Sequence, residues 1–130
     1  MRLVIDTSAI LGVLLNQGPK EWLVANTARA TLIAPASLPW EIGNALSSLM
    51  KRKKINEKEA DFVLDSYSKI PIQFVDVDLK ASLALVSKHS IYAYDAYLIV
   101  CAKHFKIPLV SLDNGLVEVA KKEHVRVLEA

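Results

Sequence analysis

A chain of 130 residues that is 52% hydrophobic and 23% charged has the composition of an ordinary globular protein, which excludes disordered and fibrous classes. Its length suits one domain over residues 1–130, large enough to bury roughly two-thirds of its unfolded surface. Sixteen basic against fourteen acidic residues leave a net charge of +2, too small to argue for a polyanionic partner by itself. Cys101 is the only cysteine, so an internal disulfide is excluded and a reducing cytoplasm is the expected compartment. It lies in the apolar run 98–102 and reads as an inert, buried thiol. No run approaches the about 18 uninterrupted apolar residues of a membrane span. Asp6 also interrupts what would be the apolar region of a signal peptide.

Residues 2–6 are short, β-branched and apolar, as a buried strand requires. Residues 8–15 predict a helix that stops at the breaker Asn16-Gln17-Gly18-Pro19. A second helix follows over 20–29 and a second strand over 31–34. Pro39 suits the first turn of a long helix reaching about residue 53. Asn56 caps the next helix, with Glu59 at capping-box spacing. A third strand spans 72–75, and Asp78 opens a helix to about residue 88. Residues 93–105 form a helix that is apolar on most faces and therefore central. Strand 108–112, helix 114–123 and strand 125–128 complete the pattern. Near-continuous apolar strands alternating with helices predict a three-layer α/β/α domain with a central, mostly parallel sheet.

In such sheets ligands bind beyond the carboxyl ends of the strands. Asp6 and Asp113 each end a predicted strand, and Glu41 and Asp95 each sit in the first turn of a predicted helix. All four therefore fall on one edge. A carboxylate in apolar surroundings loses hydration, a cost that a partner or metal must offset. No Lys or Arg is adjacent in sequence to any of the four, so a bound cation is the natural partner. Taken singly, each also fits a structural role: Asp6 and Asp113 as caps, Glu41 and Asp95 as complements to helix dipoles. Together they suit Mg²⁺ or Mn²⁺, which take hard oxygen ligands. Zinc prefers His and Cys, and His89, His104 and His124 are scattered. The four glycines are isolated, which excludes a phosphate-binding Gly-rich loop. A carboxylate cluster with one or two divalent ions can activate water against a phosphodiester. If metal neutralises these acids, the remaining surface is distinctly basic.

Four blocks then resemble a known family. They are Val4-Ile5-Asp6-Thr7-Ser8-Ala9, Pro39-Trp40-Glu41-Ile42-Gly43-Asn44-Ala45-Leu46, Tyr94-Asp95-Ala96-Tyr97 and Leu109-Val110-Ser111-Leu112-Asp113. In order and spacing they resemble the PIN-domain nucleases, above all the small VapC toxins of prokaryotic toxin–antitoxin pairs. The resemblance implies an endoribonuclease dependent on Mg²⁺ or Mn²⁺, with Asp6, Glu41, Asp95 and Asp113 as catalytic metal ligands. It implies that Thr7 or Ser8, Asn44 and Ser111 support the pocket. It further implies a homodimer and a cognate antitoxin that blocks the acidic pocket, a role an arginine could fill.

Lys51-Arg52-Lys53-Lys54 is the strongest charge run, equally suited to a helix C-terminus in solvent and to RNA phosphates. Trp22, Trp40, Tyr92, Tyr94 and Tyr97 read mainly as packing residues, Trp40 with the added option of stacking a base. Two other functional readings compete. A receiver-like signalling domain would need paired acids after the first strand, where Asp6 stands alone. A catalytically inactive PIN-like scaffold would act through binding only, and the presence of all four acids opposes it.

Overall fold

The computed structural model describes residues 1–129. Its order is β1 (Arg2–Ile5), α1 (Thr7–Leu14), α2 (Lys20–Thr27), β2 (Thr31–Pro35), α3 (Leu38–Lys51), α4 (Glu57–Ser68), β3 (Ile72–Val75), α5 (Leu79–His89), α6 (Ala93–Phe105), β4 (Leu109–Val110), α7 (Asn114–Lys122) and β5 (Val127–Leu128). The strands form one sheet in the order β3-β2-β1-β4-β5, and every pairing is parallel. The expected α/β/α architecture is the one observed.

Strand alternation explains the layers. Leu3, Ile5, Leu32, Ala34 and Val110 point to one face and pack with Ile10, Leu23, Ile42 and Val63, from α1 to α4. Val4, Ile33 and Leu109 point to the other and pack with Leu85, Ile99 and Leu116, from α5 to α7. Both sides of the sheet are covered, which is why its strands carry no polar alternation. Helix α6 is the central one, with Ala96, Leu98, Ile99, Cys101 and Ala102 all buried. Burial pushes the Cys101 thiol up to about 11, so it stays protonated and inert.

Local chemistry sets the helix ends. Asn56 and Glu59 form a reciprocal capping box, and Asp78 accepts from the Ala81 N–H at 3.1 Å. Helix α3 closes with Lys53 left-handed (φ 57°), its N–H on the Met50 carbonyl and the Lys54 N–H on Leu49. Lys106 and His124 end α6 and α7 by the same pattern of bonds.

The last two strands are shorter than the sequence predicts. The Val125 N–H is taken by the Ala120 carbonyl to close α7, so β5 begins only at Val127. The Leu112 N–H is taken by the Ser8 hydroxyl at 2.9 Å, so β4 ends at Val110. One buried charge went unread in the sequence. Glu123, 7% exposed, binds Lys88 at 2.9 Å, His89 at 2.7 Å and Lys103 at 2.8 Å. Hydrogen bonds from Lys103, then from His89 and Lys88, hold its carboxyl well below the usual range and fasten α5 and α6 to the end of α7.

Candidate active site

Parallel pairing places the carboxyl ends of β1, β2 and β4 side by side, and the four acids gather there. Asp6 follows β1 and caps α1, while Asp113 lies beyond β4 and caps α7. Glu41 lies in the first turn of α3, which follows β2, and Asp95 in the first turn of α6, which runs back under the sheet towards β4. Their exposure is graded: Asp6 is buried, Glu41 and Asp95 are half-buried, and Asp113 is exposed.

Asp6 is fixed from three sides. It accepts from the Ala9 N–H at 2.9 Å, from the Ser8 hydroxyl at 2.8 Å and from the Ser111 hydroxyl at 2.5 Å. Ser111 in turn accepts from the Asp113 N–H at 3.0 Å. The two serines therefore tie the end of β1 to the end of β4. Asp113 spends one oxygen on the Leu116 N–H, at 3.2 Å. Glu41 accepts from the Ser37 hydroxyl at 3.2 Å. Ser37 was not singled out from the sequence, although its place one turn before Glu41 was the available signal.

The electrostatics are uncompensated. Burial pushes the Asp6 carboxyl up despite its hydrogen bonds, and Asp113 adds repulsion. Burial pushes Glu41 up to about 7, with the Ser37 bond opposing and Asp6 and Asp95 reinforcing. Asp95 is pushed up to about 6 by burial, then by Asp113 and Asp6. Among the described residues no Lys, Arg or His pairs with any of the four. Nor do any three His, Cys, Asp or Glu side chains among them lie close enough together to hold a metal ion as they stand.

A family model for the PIN domain matches residues 3–122. The chain belongs to the PIN domain family. Ribonuclease VapC3 of Pyrobaculum aerophilum is similar, 27% identical over 123 residues that cover 91% of this chain and 94% of the relative. A crystal structure of a Pyrobaculum aerophilum protein matches with a TM-score of 0.67 at 17% identity, covering 98% of this chain and 83% of that one. The VapBC2 structure of Rickettsia felis, bound to a DNA fragment from its promoter, also gives 0.67, at 13% identity and 98% of both chains. At these identities the two structures bear on the fold.

The supporting residues of this PIN domain divide. Ser8 and Ser111 hold Asp6, whereas the Thr7 hydroxyl is buried without a hydrogen-bond partner among the described residues. Asn44 is exposed and lines a groove beside the acids. Trp40, Tyr92 and Tyr94, read from sequence as packing residues, are 76%, 85% and 46% exposed. Trp40 and Tyr94 each immediately precede a site carboxylate, and the helices turn the acid inward and its neighbour outward.

Proposed function

We propose that this PIN domain is an endoribonuclease dependent on Mg²⁺ or Mn²⁺ and the toxin of a toxin–antitoxin pair. The observation that carries the reading is a group of four acids on one sheet edge, three of them with raised proton affinity and none with a cationic partner among the described residues. The donor set is all oxygen, which fits a hard divalent ion rather than zinc. Asp6, Glu41, Asp95 and Asp113 would hold that ion, which supplies water activation and charge stabilisation at a phosphodiester. Mg²⁺ keeps several of its waters, so the spread of these carboxylates suits it.

The remaining roles belong to the chain. Ser8 and Ser111 fix the plane of the Asp6 carboxylate before any ligand arrives, which lowers the cost of ordering it. Glu41 and Asp95 give up their protons to bind a cation, so affinity rises with pH through their titration range. Trp40 and Tyr94 offer ring faces beside the acids on which unpaired bases can stack. An antitoxin that inserts an arginine would meet four carboxylates ready for a guanidinium. The exposed Leu79 and Leu83, one turn apart on α5, give that helix an apolar stripe suited to a homodimer.

The test is cleavage of a mixed RNA panel by purified protein in Mn²⁺, Mg²⁺ or EDTA, beside Asp6→Asn and Asp95→Asn. The reading predicts metal-dependent products from the parent and none from either variant. Cleavage that persists in EDTA or in both variants would refute it.

A further inference from the structure

A groove of about 540 Å³ opens beside the acids between α1 and α3. It begins at Ser8, whose hydroxyl holds Asp6, and Gly12, Asn44, Ser48 and Arg52 lie along it. Its lining contains no carboxylate. Asn44, Ser48 and Arg52 recur every fourth residue and so form one stripe along α3 that ends at its C-cap, Arg52. At the rise of an α-helix they cover roughly 12 Å, with the two neutral hydrogen-bonding groups nearest the acids and the cation farthest away. Glu41 lies three residues before Asn44, so the stripe begins one turn from a site carboxylate. Arg52 makes no ion pair among the described residues. Its neighbours Lys51, Lys53 and Lys54 do not line the groove.

We propose that this groove carries the RNA strand away from the cleaved bond, with Asn44 and Ser48 contacting the sugar–phosphate backbone and Arg52 pairing with a phosphate beyond them. The proposal rests on the nuclease reading and extends it to the path of the substrate. The arrangement solves an electrostatic problem: four carboxylates repel a polyanion, and a strand held near them needs attraction just outside their reach. A planar guanidinium at the far end supplies it, and phosphate is the acceptor it fits best. These contacts fix position and register without reading bases.

The experiment is equilibrium binding of a fluorescein-labelled single-stranded oligoribonucleotide of mixed sequence, read by anisotropy across a salt series in EDTA. Three variants each lower the charge by one: Arg52→Ala, Ser48→Asp and Lys51→Ala. Arg52→Ala is expected to weaken binding roughly 3–10-fold and to flatten the salt slope by about 0.7. Ser48→Asp, inside the stripe, should match that loss of affinity. Lys51→Ala, equal in charge change but outside the groove, should cost less than about two-fold. Arg52→Lys should recover part of the affinity, which separates phosphate pairing from a folding defect. Equal losses in Lys51→Ala and Arg52→Ala would overturn the proposal, as would no binding by the parent. Metal-dependent cleavage with binding indifferent to Arg52 and Ser48 would sink the groove and leave the nuclease. Groove-dependent binding without cleavage would do the reverse.

Discussion

Removing one carboxylate from the acidic pocket should stabilise the metal-free protein, and Asp95→Asn is the cleanest case. The Asp95 carboxyl is raised from 3.8 to about 6, chiefly by burial and then by Asp113 and Asp6. Holding it ionised at neutral pH therefore costs roughly 3 kcal/mol, which partial exposure to water reduces to about 1–2 kcal/mol. The sign follows from proton uptake. Between the two values the folded state binds more protons than the unfolded one, so stability falls as pH rises. The penalty is absent below about pH 4 and complete above the folded value. Glu41, raised from 4.5 to about 7, extends the same loss upward. Thermal unfolding of the parent in EDTA should thus give a lower Tm at pH 7.5 than at pH 5. The Asp95→Asn variant should lie about 3–8 °C above the parent at pH 7.5, and the gap should close at acid pH. A variant less stable than the parent at pH 7.5, or a gap that widens on acidification, would refute the reasoning.

Ser111→Ala removes a donor to Asp6 and the acceptor of the Asp113 N–H. It is expected to cost about 1–3 kcal/mol in urea unfolding and about 10–100-fold in Mn²⁺ affinity; unchanged affinity would show that Ser111 does not orient the site. Glu123→Gln leaves Lys88, His89 and Lys103 without their shared anion, at a cost of about 1–3 kcal/mol near neutral pH. Because the Glu123 carboxyl is depressed, its stabilisation is present above the unfolded value and lost on acidification. The gap between parent and variant should therefore begin to narrow below about pH 4 and keep narrowing with further acidification, which circular dichroism can follow in both.

The fold was legible because its strongest signals are local and agree with one another. Strands such as β1, apolar and buried from residue 3 to 5, suit only a sheet covered on both sides. Asn56, Asp78 and Asp113 announced their caps in sequence and perform them. The shared edge of the four acids followed from parallel strand ends for Asp6 and Asp113 and from helix starts for Glu41 and Asp95. What escaped was set by tertiary partners. Nothing near Glu123 in sequence identifies Lys88 and His89 as its partners, more than thirty positions away. The early end of β4 depends on Ser8, which reaches across from α1 to take the Leu112 N–H. Trp40 and Tyr92 misled because large aromatics ordinarily pack, whereas these stand exposed near the acidic edge. Asn44, expected to support the pocket from one turn beyond Glu41, lines the groove beside it.

Calorimetric titration of the metal-free protein with Mn²⁺, repeated at pH 6.5 in buffers of different ionisation enthalpy, tests the central claim most directly. Saturable binding with net proton release is expected, because Glu41 and Asp95 must lose their bound protons to take a cation. The account predicts the loss of that binding in Asp6→Asn. A folded parent protein that binds no Mn²⁺, or one whose Asp6→Asn variant binds it equally well, would contradict the assignment of this pocket as the metal centre.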